Sequence, residues 1–502
     1  MSFTKRKWHF ENRNNFQQAL KTNAWFLLNA SPVNTFAPQP ATVRGHAVHL
    51  GEDPKGETFL YTNGRSVIIR NIKDPFVAAE YTQHSAPATV ARYAPSGFYI
   101  ASGDERGNIR IWDTINSENI LKTETRALSG RVNDIAWDGE SKRIIVVGEG
   151  KDKFAHAFLF DTASSVGDMG GHSKIINAVS MRATRPFKAV TASDDMSVNF
   201  YPGVPFKFEK SLTEHSRFVQ CVRYSPNGDY FVSAGMDAKL FLYDGKTGNL
   251  ISELTGDKNG HTGGIFSISW NREGTQLVSC SSDTTVKIWD IASKTVVNTF
   301  NVGETSGLVE NQQVGCLWQG EYIISLSLNG DINYFEKSST TPVRVVKGHQ
   351  KAITALTTVP STKTFYTGSY DGQVHAWSLE NGKPAHHKVT GSGHSNQVKA
   401  LYADATGKIV SIGLDDTLRT IDNSTKTFTC NSSFGVSDES VGTNGAPASV
   451  AAQNGIVVLA TLTGSISVTK NGELLASLSV DWVPTVVAIN TTSTLIAVGD
   501  EV

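Results

Sequence analysis

At 502 residues, with 46 basic against 47 acidic side chains, the chain carries a formal charge of −1, which gives no global electrostatic reason to bind nucleic acid or an anionic membrane. Its 44 glycines and 39% hydrophobic content suit short strands joined by tight turns better than a helical or doubly wound fold. The length exceeds one ordinary domain, and no apolar run approaches the roughly 18 to 20 residues that span a bilayer.

In chain order, the basic opening segment has one apolar stretch, residues 24–28 (AWFLL), short against the about 7 to 15 residues of a signal-peptide core. Residues 1–35 are expected to be a disordered extension rather than a mitochondrial-type leader. Then one pattern recurs. Units ending near Ile72, Asp113, Asp161, Tyr201, Asp244, Asp290 and Phe335 return at the roughly 40 to 45-residue period of propeller blades. Seven such units predict a closed propeller over residues 36–340. The polar stretch EKSSTTP, ending at Pro342, reads as the boundary. Further units over 349–379, 394–422 and 448–470, with a fragment from Val483, predict an incomplete second propeller of about four blades over 341–502. The Ser, Thr, Asn and Gly-rich residues 423–447 read as a long loop or insertion.

Within a unit the apolar residues alternate, as around Ile265, Val286 and Ile288, and turn clusters separate the runs, which predicts a four-stranded antiparallel meander. One such sheet leaves two faces and two edges uncovered, so it is stable only between neighbours. The overall class is therefore all-β.

The polar residues repeat with the strands. His215 and Asp237, His261 and Asp283, and His349 and Asp371 are each 22 positions apart, and each Asp precedes an aromatic (Tyr243, Trp289, Trp377) by six. A buried network that fixes a turn explains the repetition; a hydrolase triad would require an active site in every unit. The unit ending at Trp112 has Arg106 at the Asp position, so packing or another pair must hold it. The four cysteines (Cys221, Cys280, Cys316, Cys430) show no CxxC spacing, which suits a reducing cytosol. No phosphate loop, HExxH, GxSxG or calcium loop is present, so no enzymatic activity, cofactor or metal is expected.

The His, Ser or Thr, Asp and Trp pattern resembles the WD-repeat family, which implies that these side chains form a hydrogen-bonded chain inside each blade. Longer stretches are similar to the actin-interacting WD-repeat family. They are DPKGETFLYTNGRSVIIRNI from Asp53, APSGFYIASGD from Ala94, SKRIIVVGEGKDKF from Ser141, VPFKFEKSLTEHSRFVQCVRYSPNG from Val204 and NQQVGCLWQGEYIISLSLNGDINY from Asn311. That resemblance implies two seven-bladed propellers opened like a clamshell, and a cytoplasmic monomer of the actin cytoskeleton. It implies binding to cofilin-decorated actin filaments, to promote severing and disassembly. The chain departs from the family in the 35 residues before Phe36 and in ending about three blades short of a second ring. Carried over by motif, the actin- and cofilin-facing residues fall on Asp152 in GEGKDKF, Asp194 in ASDD, Phe208 in PFKF and Phe218 in EHSRF.

The residues themselves bear on part of this. Phe206 and Phe208 alternate with Lys207, so at least one ring is expected to stay exposed, as interface anchors do. Asp194 precedes Asp195, and only one of them can occupy the turn. Asp152 lies between Lys151 and Lys153 and, taken alone, reads as a solvated charged loop. The alternative function is a general WD-repeat adaptor, such as a ubiquitin-ligase substrate receptor or a signalling scaffold.

Overall fold

Short β-branched and aromatic runs, broken by tight turns that often hold Gly at positive φ, favour meanders. The computed structural model describes residues 37–500 apart from 168, 255–258, 304–306, 381–382, 404–406, 408, 416, 434–446, 471–472 and 491. Among the described residues there are ten four-stranded antiparallel sheets and one two-stranded sheet, each joined in chain order. The sixth shows how a unit is built. Its strands are Ile265–Trp270, Gln276–Ser281, Thr285–Asp290 and Thr295–Asn301. The Asn271 side chain accepts from the amides of Thr275 and Gln276, and Gly274 takes the left-handed φ of +70° that closes this first turn.

Burial in the first three strands of that sheet is nearly continuous rather than alternating, because both faces are covered by neighbouring sheets. Only the fourth strand is largely part-exposed. The first strands of the first seven sheets lie side by side around a common axis. The seventh sheet closes onto the first: the Val48 amide donates to the Val314 carbonyl at 2.8 Å, and Gln319 Nε2 donates to the carbonyls of Asp53 and Thr58. Phe59 and Tyr61 share one core with Val314 and Tyr334 across that seam.

Three sequence expectations need adjusting. The strand Arg344–Val346 pairs with Ile332–Phe335 as the outermost strand of the seventh sheet, so the 340/341 boundary falls inside a sheet and has to move past Val346. The Arg344 guanidinium fixes that strand, lying 4.3 Å over the Tyr334 ring and donating to the Ile72 and Lys73 carbonyls of the first sheet. Within 423–447, expected as a loop, Thr427–Ser433 forms the fourth strand of the ninth sheet, paired with Thr417–Asp422. Its threonines and aromatic suit an edge strand better than a loop. Residues 1–35 and 434–446 lie outside the described residues.

The third adjustment concerns the repeated polar residues. In the sixth sheet His261 binds Asp283 at 2.9 Å through Nδ1 and Ser279 at 2.7 Å through Nε2, and Trp289 Nε1 donates to the same Ser279 hydroxyl at 2.7 Å. The fifth sheet repeats the pairing with His215, Asp237 and Ser233, the last reaching Tyr243. In the eighth sheet only half of the chain forms. His349 Nε2 and Trp377 Nε1 both meet Thr367 Oγ1 at 2.7 Å, but His349 Nδ1 has no hydrogen-bond partner, and Asp371 is taken by the Ser369 hydroxyl instead.

The residue two after the Asp also differs, although a clamp there is not required, since Lys239 holds the place in the fifth sheet and His215 still meets Asp237. Thr285 bonds both Asp283 and His261 and so clamps them together; the eighth sheet has Gln373 there, which turns to His375. In the second sheet the pair supplied in place of Arg106 is Asp104, which accepts the amides of Arg106 and Asn108 while His84 and Trp112 share Ser102.

Burial pushes His84 and His349 from 6.5 down to about 4, against the pull of the nearby carboxylates. The unfolded chain therefore takes up these protons first as pH falls, and stability is lost from about pH 6.5 down to about pH 4, by about 3 kcal/mol per histidine. Thermal midpoints measured across that window should fall steadily with acidification, and His349→Gln should flatten the slope. Midpoints that stay level would contradict the burial of neutral imidazoles.

Candidate interaction surface

In a four-strand meander, the turn between the second and third strands and the connection to the next sheet share one end. Asp152 lies in the turn between Arg143–Gly148 and Ala155–Leu159, Asp194 between Lys188–Ser193 and Val198–Pro202, and Phe218 immediately before Val219–Tyr224. All three therefore face the same end of the ring. Phe208 comes from the connection before the fourth strand, Lys210–Leu212, which topology assigns to the other end. It returns because Phe206 bridges to Gly167 of the third sheet.

The two phenylalanines of PFKF then part. Phe206 is fully buried, while Phe208 keeps 46% of its surface. The Phe208 ring meets Tyr201 edge-on at 6.3 Å and closes over Gly171, where φ is +111° and a Cβ would lie 2.6 Å from the ring. Glycine is required there on both counts. Phe218 is 43% exposed, and the Lys174 ammonium lies 5.7 Å over its ring.

The Asp194–Asp195 pair divides its work. Asp195 takes the turn, bonding His172 at 2.8 Å, the Ser173 amide and the Ser197 hydroxyl. Asp194 is left half-buried at the surface and accepts from Asn177 Nδ2 at 2.7 Å. The same Nδ2 donates to the Val219 carbonyl at 2.9 Å, beside Phe218. Asn177 thus links Asp194 to Val219, the residue after Phe218, across one seam, while Phe208 closes over Gly171 in the preceding connection, whose Lys174 lies over the Phe218 ring. Asp152 sits one sheet away, exposed between exposed Lys151 and Lys153, and is not drawn into this cluster.

Beneath the surface lies a buried charge cluster that sequence reading missed. Asp134 is fully buried; its Oδ1 accepts from Arg92 Nε and Nη2, and its Oδ2 from Arg223 Nη1 at 2.7 Å and from the Val179 amide. Burial alone would raise this carboxyl, but Arg223 and Arg92 outweigh it and hold the carboxyl well below the usual range. Arg223 Nη2 reaches His49 Nδ1, and His49 Nε2 meets the Asn177 carbonyl at 3.1 Å. The cluster ties together five of the first seven sheets and borders an axial cavity of about 430 Å³ that Ser180 and Ser269 also line.

Comparison with known proteins places this geometry. The WD domain, G-beta repeat model matches residues 77–113, 206–244, 250–290 and 340–378. The chain is 46% identical over 468 residues to WD repeat-containing protein 1 of Xenopus tropicalis, covering 92% of this chain and 75% of the relative. It is 42% identical over 472 residues to actin-interacting protein 1 of Drosophila melanogaster, covering 93% and 75%. The chain belongs to this family. A 66 kDa stress protein of Physarum polycephalum is 42% identical over 467 residues, again covering 75% of the relative. The family's WD-repeat β-propeller architecture is the one the sheets and their closure display, and the chain spans about three quarters of these relatives.

Proposed function

We propose that this protein is an actin-filament-binding scaffold that acts with cofilin to promote severing and disassembly. The observation that carries the reading is that one amide bonds both the Asp194 carboxylate and the carbonyl of Val219, the residue after the exposed Phe218, in a chain 42% identical to a protein named for interacting with actin. Exposed aromatics are enriched at interfaces, and a carboxylate on the same seam offers an acceptor to a cationic group of a partner. Asp194, Phe218 and Phe208 form its centre, and Asp152 an outlying contact. In this reading the protein is a cytoplasmic monomer of the actin cytoskeleton, performs no catalysis, takes no cofactor and binds neither nucleic acid nor membrane.

Sedimentation tests it. With actin and cofilin present, adding the protein should move actin from the pellet to the supernatant. An unchanged pellet, together with affinity capture that recovers ubiquitin-ligase subunits but neither actin nor cofilin, would replace this reading with that of a general adaptor.

A further inference from the structure

We propose that Asn177 is the positioning residue of this surface, holding the Asp194 carboxylate and the carbonyl of Val219, the residue after Phe218, in register across the seam between the fourth and fifth sheets. The inference rests on the reading that Asp194 and Phe218 contact the filament.

Asn177 is the second residue of the strand Ile176–Met181. Asn133 holds the same place one sheet earlier and donates across its own seam to the Ile176 carbonyl at 3.0 Å. Asn177 makes that bond to Val219 and spends its second amide hydrogen on Asp194. Both partners are acceptors, so only the NH2 group can face them and the orientation of the amide is fixed. A neutral donor also orders the carboxylate without cancelling its charge, which stays available to a cationic group on a partner.

The backbone of Asn177 is held from the opposite side. Arg223 donates to His49 Nδ1, which leaves the Nε2 hydrogen of the neutral ring to donate to the Asn177 carbonyl. Burial lowers His49 to about 4, so the ring is neutral at neutral pH. A continuous chain of bonds therefore runs from Asp134 through Arg223, His49 and Asn177 to Asp194. The surface pair inherits its geometry from the ring axis.

The test is a double-mutant cycle read by co-sedimentation with cofilin-decorated actin, using the full chain. Asn177→Ala and Asp194→Ala should each weaken binding about tenfold, and the double variant should be no more than about threefold weaker than Asp194→Ala alone. A residue acting only on overall stability would instead lower the thermal midpoint and multiply the two losses. Asn177→Ser, which keeps a hydroxyl donor, should recover part of the affinity, and it carries the cycle if Asn177→Ala fails to fold. Wild-type affinity in both Asn177 variants, or fully multiplicative losses, overturns the positioning role while Asp194→Ala still weakens binding. Absence of binding by the wild-type chain overturns the underlying reading, and the positioning role with it.

Discussion

Replacing Asp134 with alanine should cost the first ring about 3 to 5 kcal/mol, the largest loss expected from any single substitution in it. The carboxylate is fully buried and takes both Arg92 and Arg223. Its removal leaves two guanidinium groups facing each other at the axis with only carbonyls and His49 to bond. The amides of Val179 and Ile135 lose an acceptor as well. A fall in the thermal midpoint of order 10 °C is the expected reading for a ring of this size. Replacing the trio together, as Arg92→Met, Asp134→Leu and Arg223→Met, should return much of that loss, because an apolar cluster has no charge to desolvate. Equal stability of Asp134→Ala and wild type would mean that the axis is wetter than its geometry indicates.

The second large effect falls on binding and spares the fold. Asp194→Ala combined with Phe218→Ala should weaken binding to cofilin-decorated filaments by about a hundredfold, as loss of a paired anchor does. Phe218 is 43% exposed and Asp194 half-buried with one side-chain partner. The fold should therefore lose only about 1 kcal/mol, mainly from the Asn177 hydrogen left without its acceptor. Circular dichroism melts close to those of wild type, alongside lost co-sedimentation, are the expected pair of results. Retained binding would remove these residues from the interface.

What could be read from the sequence, and what could not, follows from repetition. The ring and its polar networks were legible because the same spacing returns unit after unit; His261, Asp283 and Trp289 announce the bonds they make. Where one member changes, the spacing misleads. The eighth sheet keeps His349 and Asp371 at the usual interval, yet Asp371 takes the Ser369 hydroxyl and His349 Nδ1 is left without a partner. The second sheet shifts its carboxylate by two positions, to Asp104.

The axial cluster left only a partial trace in the pattern. Arg92 and Arg223 take the same place in the first strands of their sheets, each before a Tyr, but nothing in the spacing marks His49 and Asp134 as their partners, and the four converge only when the ring closes. Phe208 needed the path of a whole connection to bring it back to the same end as Phe218. Asn177 was findable in principle. It repeats the place of Asn133, and the carboxylate that distinguishes it lies 17 residues further on.

The central claim is that this propeller face engages filaments bearing cofilin and shortens their lives. Imaging of single cofilin-decorated actin filaments, with and without the wild-type chain, tests it most directly. The account predicts more severing events per unit length when the protein is added, and a return to the cofilin-only frequency when Asp194 and Phe218 are both replaced. The same frequency with and without the wild-type protein would contradict it.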